Sequence, residues 1–468
     1  MSSRARILPE AADQHTDLAL CDKNHYSPVQ ILPPELLQEI FAFSASPFPD
    51  PAPILAQKPL CTRFNTTSLY VSHVCSQWRS LSFSTSEMWS WMIISSPDES
   101  CLRLVEYYLH RAGRIQGLNL SLSEFNRVGT RTTWVPRATE ESKWTLAIFN
   151  LWIPEVHRWK SICFNISTGP RSKLLNLSPS SLSGITSASL QLYWLEPTAL
   201  QFWDNLHTSP VLKEVIWPRG FNLIPSSAPL AQLTSVHLLH EFISWTEFFK
   251  LLSSCPRLRW VRAMVIPITP AEAVSMTMTV AHCLETLLLP LTPSEVGSGI
   301  LLDFIEAPNL RELQMDASQS DSAVLGRFLC RSKCQLRKLS LKTQFYGSYS
   351  EADLIDNLIH AAPHLTSLEM CELSYNGLSS LTLSAFSPQL VKGAISILLP
   401  SIVRLSLFRV GPTLDGALGN MLLSRAEHDT LPWLFEASFM HGNEIQTRDK
   451  EIISQLQERG LHARLSSG

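Results

Sequence analysis

L284-E-T-L-L-L289, L310-R-E-L-Q-M315 and L336-R-K-L-S-L341 are three copies of one pattern, with apolar residues in the first, fourth and sixth places. A degenerate fourth copy begins at Leu258, so the first places fall at 258, 284, 310 and 336. Three consecutive steps of 26 residues are more regular than chance alternation of leucines produces, and a fixed period of this size marks a repeat array. The fourth and sixth places of each copy stand two residues apart, on the same side of an extended chain, which predicts a strand with one buried face.

Clear copies also stand at Leu233-Val236-Leu238, Leu365-Leu368-Met370 and Ile402-Leu405-Leu407, and weaker ones begin at Ile115, Trp159, Ile185 and Leu212. Helical stretches lie between them. Ser350 precedes Glu351 to His360, whose Leu354, Leu358 and Ile359 line one face, and Thr269 with Pro270 precedes Ala271 to Ala281. Pro256, Pro308 and Pro363 each stand two residues before a first-place leucine, where they are expected to end a helix and set an extended entry. One strand and helix cannot bury their apolar faces alone, so the units are expected to stack into a curved solenoid with parallel strands and outer helices. This region spans 96–465.

The N-terminal part reads differently. Residues 1–27 are polar and unpatterned, the composition of a flexible leader. Pro33 and Pro34 then precede Glu35, and Leu36, Leu37, Ile40 and Phe41 recur on one helical stripe. Prolines at 47, 49, 51 and 53 exclude helix and central strand, so a proline-rich insert is expected over 44–67. A second helix is predicted over 68–81, with Val71, Val74, Cys75 and Trp78 on one face and Arg79 beside it. Ser84, Thr85 and Ser86 offer capping oxygens for a short turn carrying Met88, Trp89 and Trp91. Three short helices thus occupy 28–95, and so small a module buries too little surface to be robust alone; part of its apolar stripe must face a partner or the array.

With 45% hydrophobic and 17% charged residues, the chain has ample material for a core. Its net charge of −3, without long charged blocks, gives no footprint for nucleic acid or anionic lipid. No run approaches the roughly 18 apolar residues of a spanning helix, and Glu10, Asp13 and Asp17 interrupt any N-terminal signal. A soluble protein of the cytoplasm or nucleus is expected. The ten cysteines lack a disulfide scaffold's spacing and read as reduced thiols; Cys330 and Cys334 lack a matching second pair for zinc. His237 with His240 ends a strand and His360 with His364 spans Pro363, so neither pair is assigned a metal. No phosphate loop, H-E-x-x-H or G-x-S-x-G occurs. Trp144, Ile148, Leu151 and Trp152 fall at the spacing of a helix core. No catalytic residue, metal or cofactor is expected.

The segments I31-L-P-P-E-L-L-Q-E-I-F41, Y70-V-S-H-V-C-S-Q-W-R79 and S84-T-S-E-M-W89 resemble the F-box family, in the form common in fungal genomes. The likeness covers residues 31 to about 93, and the long proline-rich insert departs from the pattern. It implies three helices that dock on a Skp-type adaptor, which joins a cullin scaffold. On that likeness Leu32, Pro33, Leu36, Leu37, Ile40, Val71, Val74, Cys75 and Trp78 face the adaptor, while Phe41, Arg79, Leu81 and Trp89 hold the module together. The repeat region resembles the leucine-rich-repeat arrays often joined to an F-box, though it lacks their Asn or Cys at the ninth place. The implied function is a non-catalytic receptor of an SCF-type ubiquitin ligase, whose array presents a target protein. Two other readings stay open: an adaptor-bound scaffold outside ubiquitin ligation, and a repeat receptor whose concave face senses a small ligand.

Overall fold

The computed structural model describes residues 32–45, 64–124, 140–166, 171–192, 197–217, 230–266, 276–290, 298–317, 321–343, 364–372, 383, 386–391, 394–396, 399–410, 415–439 and 445–467. The expected leader, most of the proline-rich insert, the helix at 351–360 and residues 271–275 of the helix expected over 271–281 lie outside these residues. The rest of that helix is a correction, since 276–281 are not helical and Thr279–Val280 form a short strand paired in parallel with Ile305–Glu306.

Fourteen strands form one sheet in strict chain order, and every pairing within it is parallel. It begins at Trp91–Ser95, Leu118–Ser123, Trp159–Ile166 and Ser187–Leu192, and ends at Arg404–Val410, Leu434–Phe439 and His462–Ser467. The molecule is a mixed α/β, solenoid-like ladder. Fourth-place residues pair with one another: Leu287, Leu313, Leu339, Leu368 and Leu405 form one buried row. Sixth-place Leu289, Met315, Leu341, Met370 and Leu407 form a second. Helices such as Pro197–His207, Trp245–Ser254, Asp321–Ser332 and Ala417–Glu427 return the chain between strands, and their apolar faces join the same core.

Several strands are entered the same way. The first-place N–H donates to the carbonyl three residues back, as Leu258 to Cys255 (3.0 Å), Leu284 to Ala281 (3.2 Å) and Leu310 to Ala307 (3.2 Å). Pro256 and Pro308 therefore occupy the second place of a four-residue turn, which suits their fixed φ, rather than the extended entry expected of them. The second-place carbonyl then accepts twice: that of Arg259 from the N–H of Glu285 (2.8 Å) and of Thr286 (2.9 Å), that of Arg311 from Arg337 (2.8 Å) and Lys338 (2.9 Å). Both lone pairs of one oxygen are used, no N–H is orphaned, and the strand is bulged at its start.

Four strands depart from expectation. The copy assigned to Ile115 is displaced by two residues: Leu120 and Leu122 pair with Ile162 and Phe164, Gly117 takes the first place, and Ile115 is 98% exposed. Trp91, expected in a turn, opens the first strand. Leu434–Phe439 and His462–Ser467 are strands that no leucine pattern announces.

The N-terminal helices are α1 (Pro34–Ala45), α2 (Thr67–Ser72) and α3 (Ser76–Ser84), followed by a 3-10 turn at Ser86–Trp89. Ser44 and Ala45, assigned to the insert, close α1, and Thr67 opens α2. The single helix predicted over 68–81 is two. Cys75 is extended (φ −156°, ψ 175°) and its sulfur caps α3 by accepting from the N–H of Trp78 at 3.4 Å. Consequently Val71, Val74, Cys75 and Trp78 do not share a helical face.

Candidate protein-docking surface

α1 divides its apolar residues between inside and outside. Leu37, Phe41 and Ala45 are buried, while Leu36 (46% exposed), Ile40 (49%) and Phe43 stand on the opposite stripe. The outer three follow i, i+4, i+7 spacing, so they form one continuous strip of α1. Tyr70 on α2 and Val74 (61% exposed), in the turn after it, add further uncovered apolar surface. Singly such residues are ordinary; five on so short a module are a candidate interface.

The thirteen residues singled out from sequence separate accordingly. Leu36, Ile40, Val74, Pro33 and Cys75 are exposed. Leu32, Val71, Trp78 and Leu81 are half-buried against the core. Leu37 is a correction: expected among adaptor-facing residues, it is 1% exposed and faces inward, because α1 turns one side of its Leu-Leu pair to the core. Phe43 and Tyr70 were missed; Phe43 is legible as the i+7 continuation of Leu36.

What stiffens this surface lies beneath it. The rings of Phe41 and Trp78 are 4.8 Å apart, which presses α1 on α3, and Gln38 Nε2 donates to Ser84 Oγ (3.1 Å). Arg79 Nε donates to the Ser72 carbonyl (3.1 Å), bridging the break between α2 and α3. Trp89 is fully buried, with its indole N–H on the Ser82 carbonyl (2.8 Å) and its ring edge-on to Tyr107 and Tyr108. The module is also sewn to the sheet. Phe64 bridges Ile94, Asn65 N–H donates to the Ile93 carbonyl (3.0 Å), and Tyr108 Oη donates to the Asn65 carbonyl (2.8 Å). Burial pushes the Tyr108 phenol well above its ordinary pKa, so it remains a donor.

Among the described residues no group of three His, Cys, Asp or Glu side chains could hold a metal ion, and Cys330 and Cys334 are free thiols. Burial raises the Cys101 thiol to about 11 and the Cys255 thiol to about 12, so neither is a thiolate nucleophile at neutral pH. Among the described residues no helix is long and apolar enough to cross a membrane.

No protein-family model matches the chain, and no curated protein matches it. Among solved structures, the crystal structure of a Bacteroides fragilis protein is similar at 11% identity, with 68% of this chain and 76% of that one covered. Its TM-score is 0.32, too low to bear on fold or function.

Proposed function

We propose that the chain is a substrate-recruiting F-box subunit of an SCF-type, cullin-RING ubiquitin ligase, acting in the cytoplasm or nucleus. α1 to α3 dock on a Skp-type adaptor and through it on the cullin scaffold; the leucine-rich-repeat-like ladder holds a target protein. The chain has no chemistry of its own in this scheme. It contributes proximity, turning the encounter between a target lysine and a charged ubiquitin carrier into an effectively intramolecular event.

One observation carries the reading. In a sequence with the F-box pattern, Leu36 and Ile40 stay half-exposed on α1 while their neighbours Leu37 and Phe41 are buried. Covering them is what an adaptor's apolar groove would do. Truncating a central apolar anchor costs about 2 kcal/mol, or roughly thirtyfold in affinity. The double variant Leu36→Ala/Ile40→Ala should therefore lose a Skp-type adaptor in pull-down while keeping the wild-type melting temperature. Undiminished adaptor capture by that variant would remove the proposal.

A further inference from the structure

The second-place residues of successive units form a file along one margin of the sheet. Hydrogen bonds connect it without a break from Lys160 through Thr186, Lys213, Thr234, Arg259, Glu285 and Arg311 to Arg337, each N–H donating to the carbonyl of the residue before it at 2.8 or 2.9 Å. The entry bulge places these side chains on the surface, and all five cations are exposed. That they are true neighbours is shown by the pair between Arg259 and Glu285, 2.6 Å apart on adjacent units. Lys160, Lys213, Arg311 and Arg337 have no ion-pair partner among the described residues; Glu214 feels the charge of Lys213 without bonding it. Lys338, paired to Glu312, flanks the file.

Five cations and one carboxylate in single file, on a chain whose net charge is −3, form a local reversal of sign. Seven strand-to-strand steps span about 34 Å, the length of about ten residues of extended chain. We infer that this margin binds an extended acidic segment of a protein partner, with the partner's carboxylates meeting Lys160, Lys213, Arg311 and Arg337. Between Lys160 and Arg337 the file carries no aromatic side chain on which unstacked bases would rest, the exposed Trp433 standing three units farther on, and single-stranded nucleic acid needs such platforms. The inference rests on the ladder being the target-holding part of the proposed receptor, and it names the target's chemistry.

The test uses the full chain and a fluorescein-labelled glutamate peptide of about ten residues, followed by anisotropy at low and high salt. Lys213→Glu/Arg311→Glu/Arg337→Glu should weaken binding at least about tenfold and flatten its salt dependence. Lys173→Glu/Lys250→Glu/Lys450→Glu, with the same net charge but off the file, should bind like wild type. No peptide binding by wild type, or equal loss in both triple variants, would overturn the inference. So would tighter binding to a thymidine oligonucleotide of matching length or to phosphatidylserine vesicles. Adaptor capture is measured in parallel. If peptide binding fails while adaptor capture stands, the file is wrong and the receptor survives; the converse removes the receptor and leaves an acidic-segment binder.

Discussion

His237 is 2% exposed on the sheet, its ring stacked on Trp260 of the next strand at 3.6 Å and 23°. Its Nδ1 is enclosed with no hydrogen-bond partner. Burial, and then the charge of Arg262, push its pKa down to about 3; burial, against a hydrogen bond with the Trp203 carbonyl, takes His207 to about 4. The sign follows from proton counting. The unfolded chain binds a proton at each site below about pH 6.5 and the folded chain does not, so stability is complete above that value and falls as pH drops toward the folded pKa. For His237 the loss between pH 6.5 and 5 is about 2 kcal/mol. Glu214 and Asp449, whose carboxyls burial pushes upward, work in the opposite sense, so the informative comparison is between variants. His237→Phe keeps a ring against Trp260 and removes the titration; its urea midpoint should fall less than that of wild type between pH 7 and 5. Parallel curves would show that His237 is not neutral in the fold. From sequence His237 was visible only as one half of a spacing with His240, since nothing in a linear reading brings Trp260 and Arg262 beside it.

At the level of the element, Cys75 decides how the second half of the N-terminal module is built. A continuous apolar period from Val71 to Trp78 reads as one helix, yet the chain extends at Cys75 and restarts. Sulfur is a weak acceptor, and serine is among the preferred residues at a helix start. Cys75→Ser should thus raise stability by about 0.5 kcal/mol, seen as a higher melting temperature, and Cys75→Ala should lower it; a serine variant no better than alanine would mean the cap contributes nothing. The same limitation explains Leu37. Adjacent leucines look alike in sequence, and only the placement of α2 and α3 against α1 determines that Leu37 goes in and Leu36 stays out. The repeat strands were legible wherever leucine fills the pattern, from Leu233 to Leu407. They were not where Pro432 and Gly460 hold the first place and Phe435 and Ala463 the fourth, although the register continues through both.

For the molecule as a whole, a ladder whose strands pair only with sequence neighbours is a sum of units and the interfaces between them. The three steps of 26 residues then make a specific prediction. Deleting 285–310 joins Leu284 to Arg311, recreating L-x-x-L-x-M and returning each fourth-place leucine to its row. That variant should stay folded, with a urea slope lower by roughly one-twentieth in proportion to the surface removed. Deleting 285–297, half a unit, puts strand out of phase with helix and should abolish cooperative unfolding. Equal damage from both deletions would show that the units are not interchangeable.

Phe64, Asn65 and Tyr108 tie helices α1 to α3 to the first rung and leave them little swivel. In the proposed receptor, a cargo gripped farther along would be carried on a rigid jib rather than a rope. Under the proposed function, the number of rungs between handle and grip would set which of its lysines swing within range of the ubiquitin carrier, so gaining or losing a unit would redirect the mark to a different lysine without altering either contact.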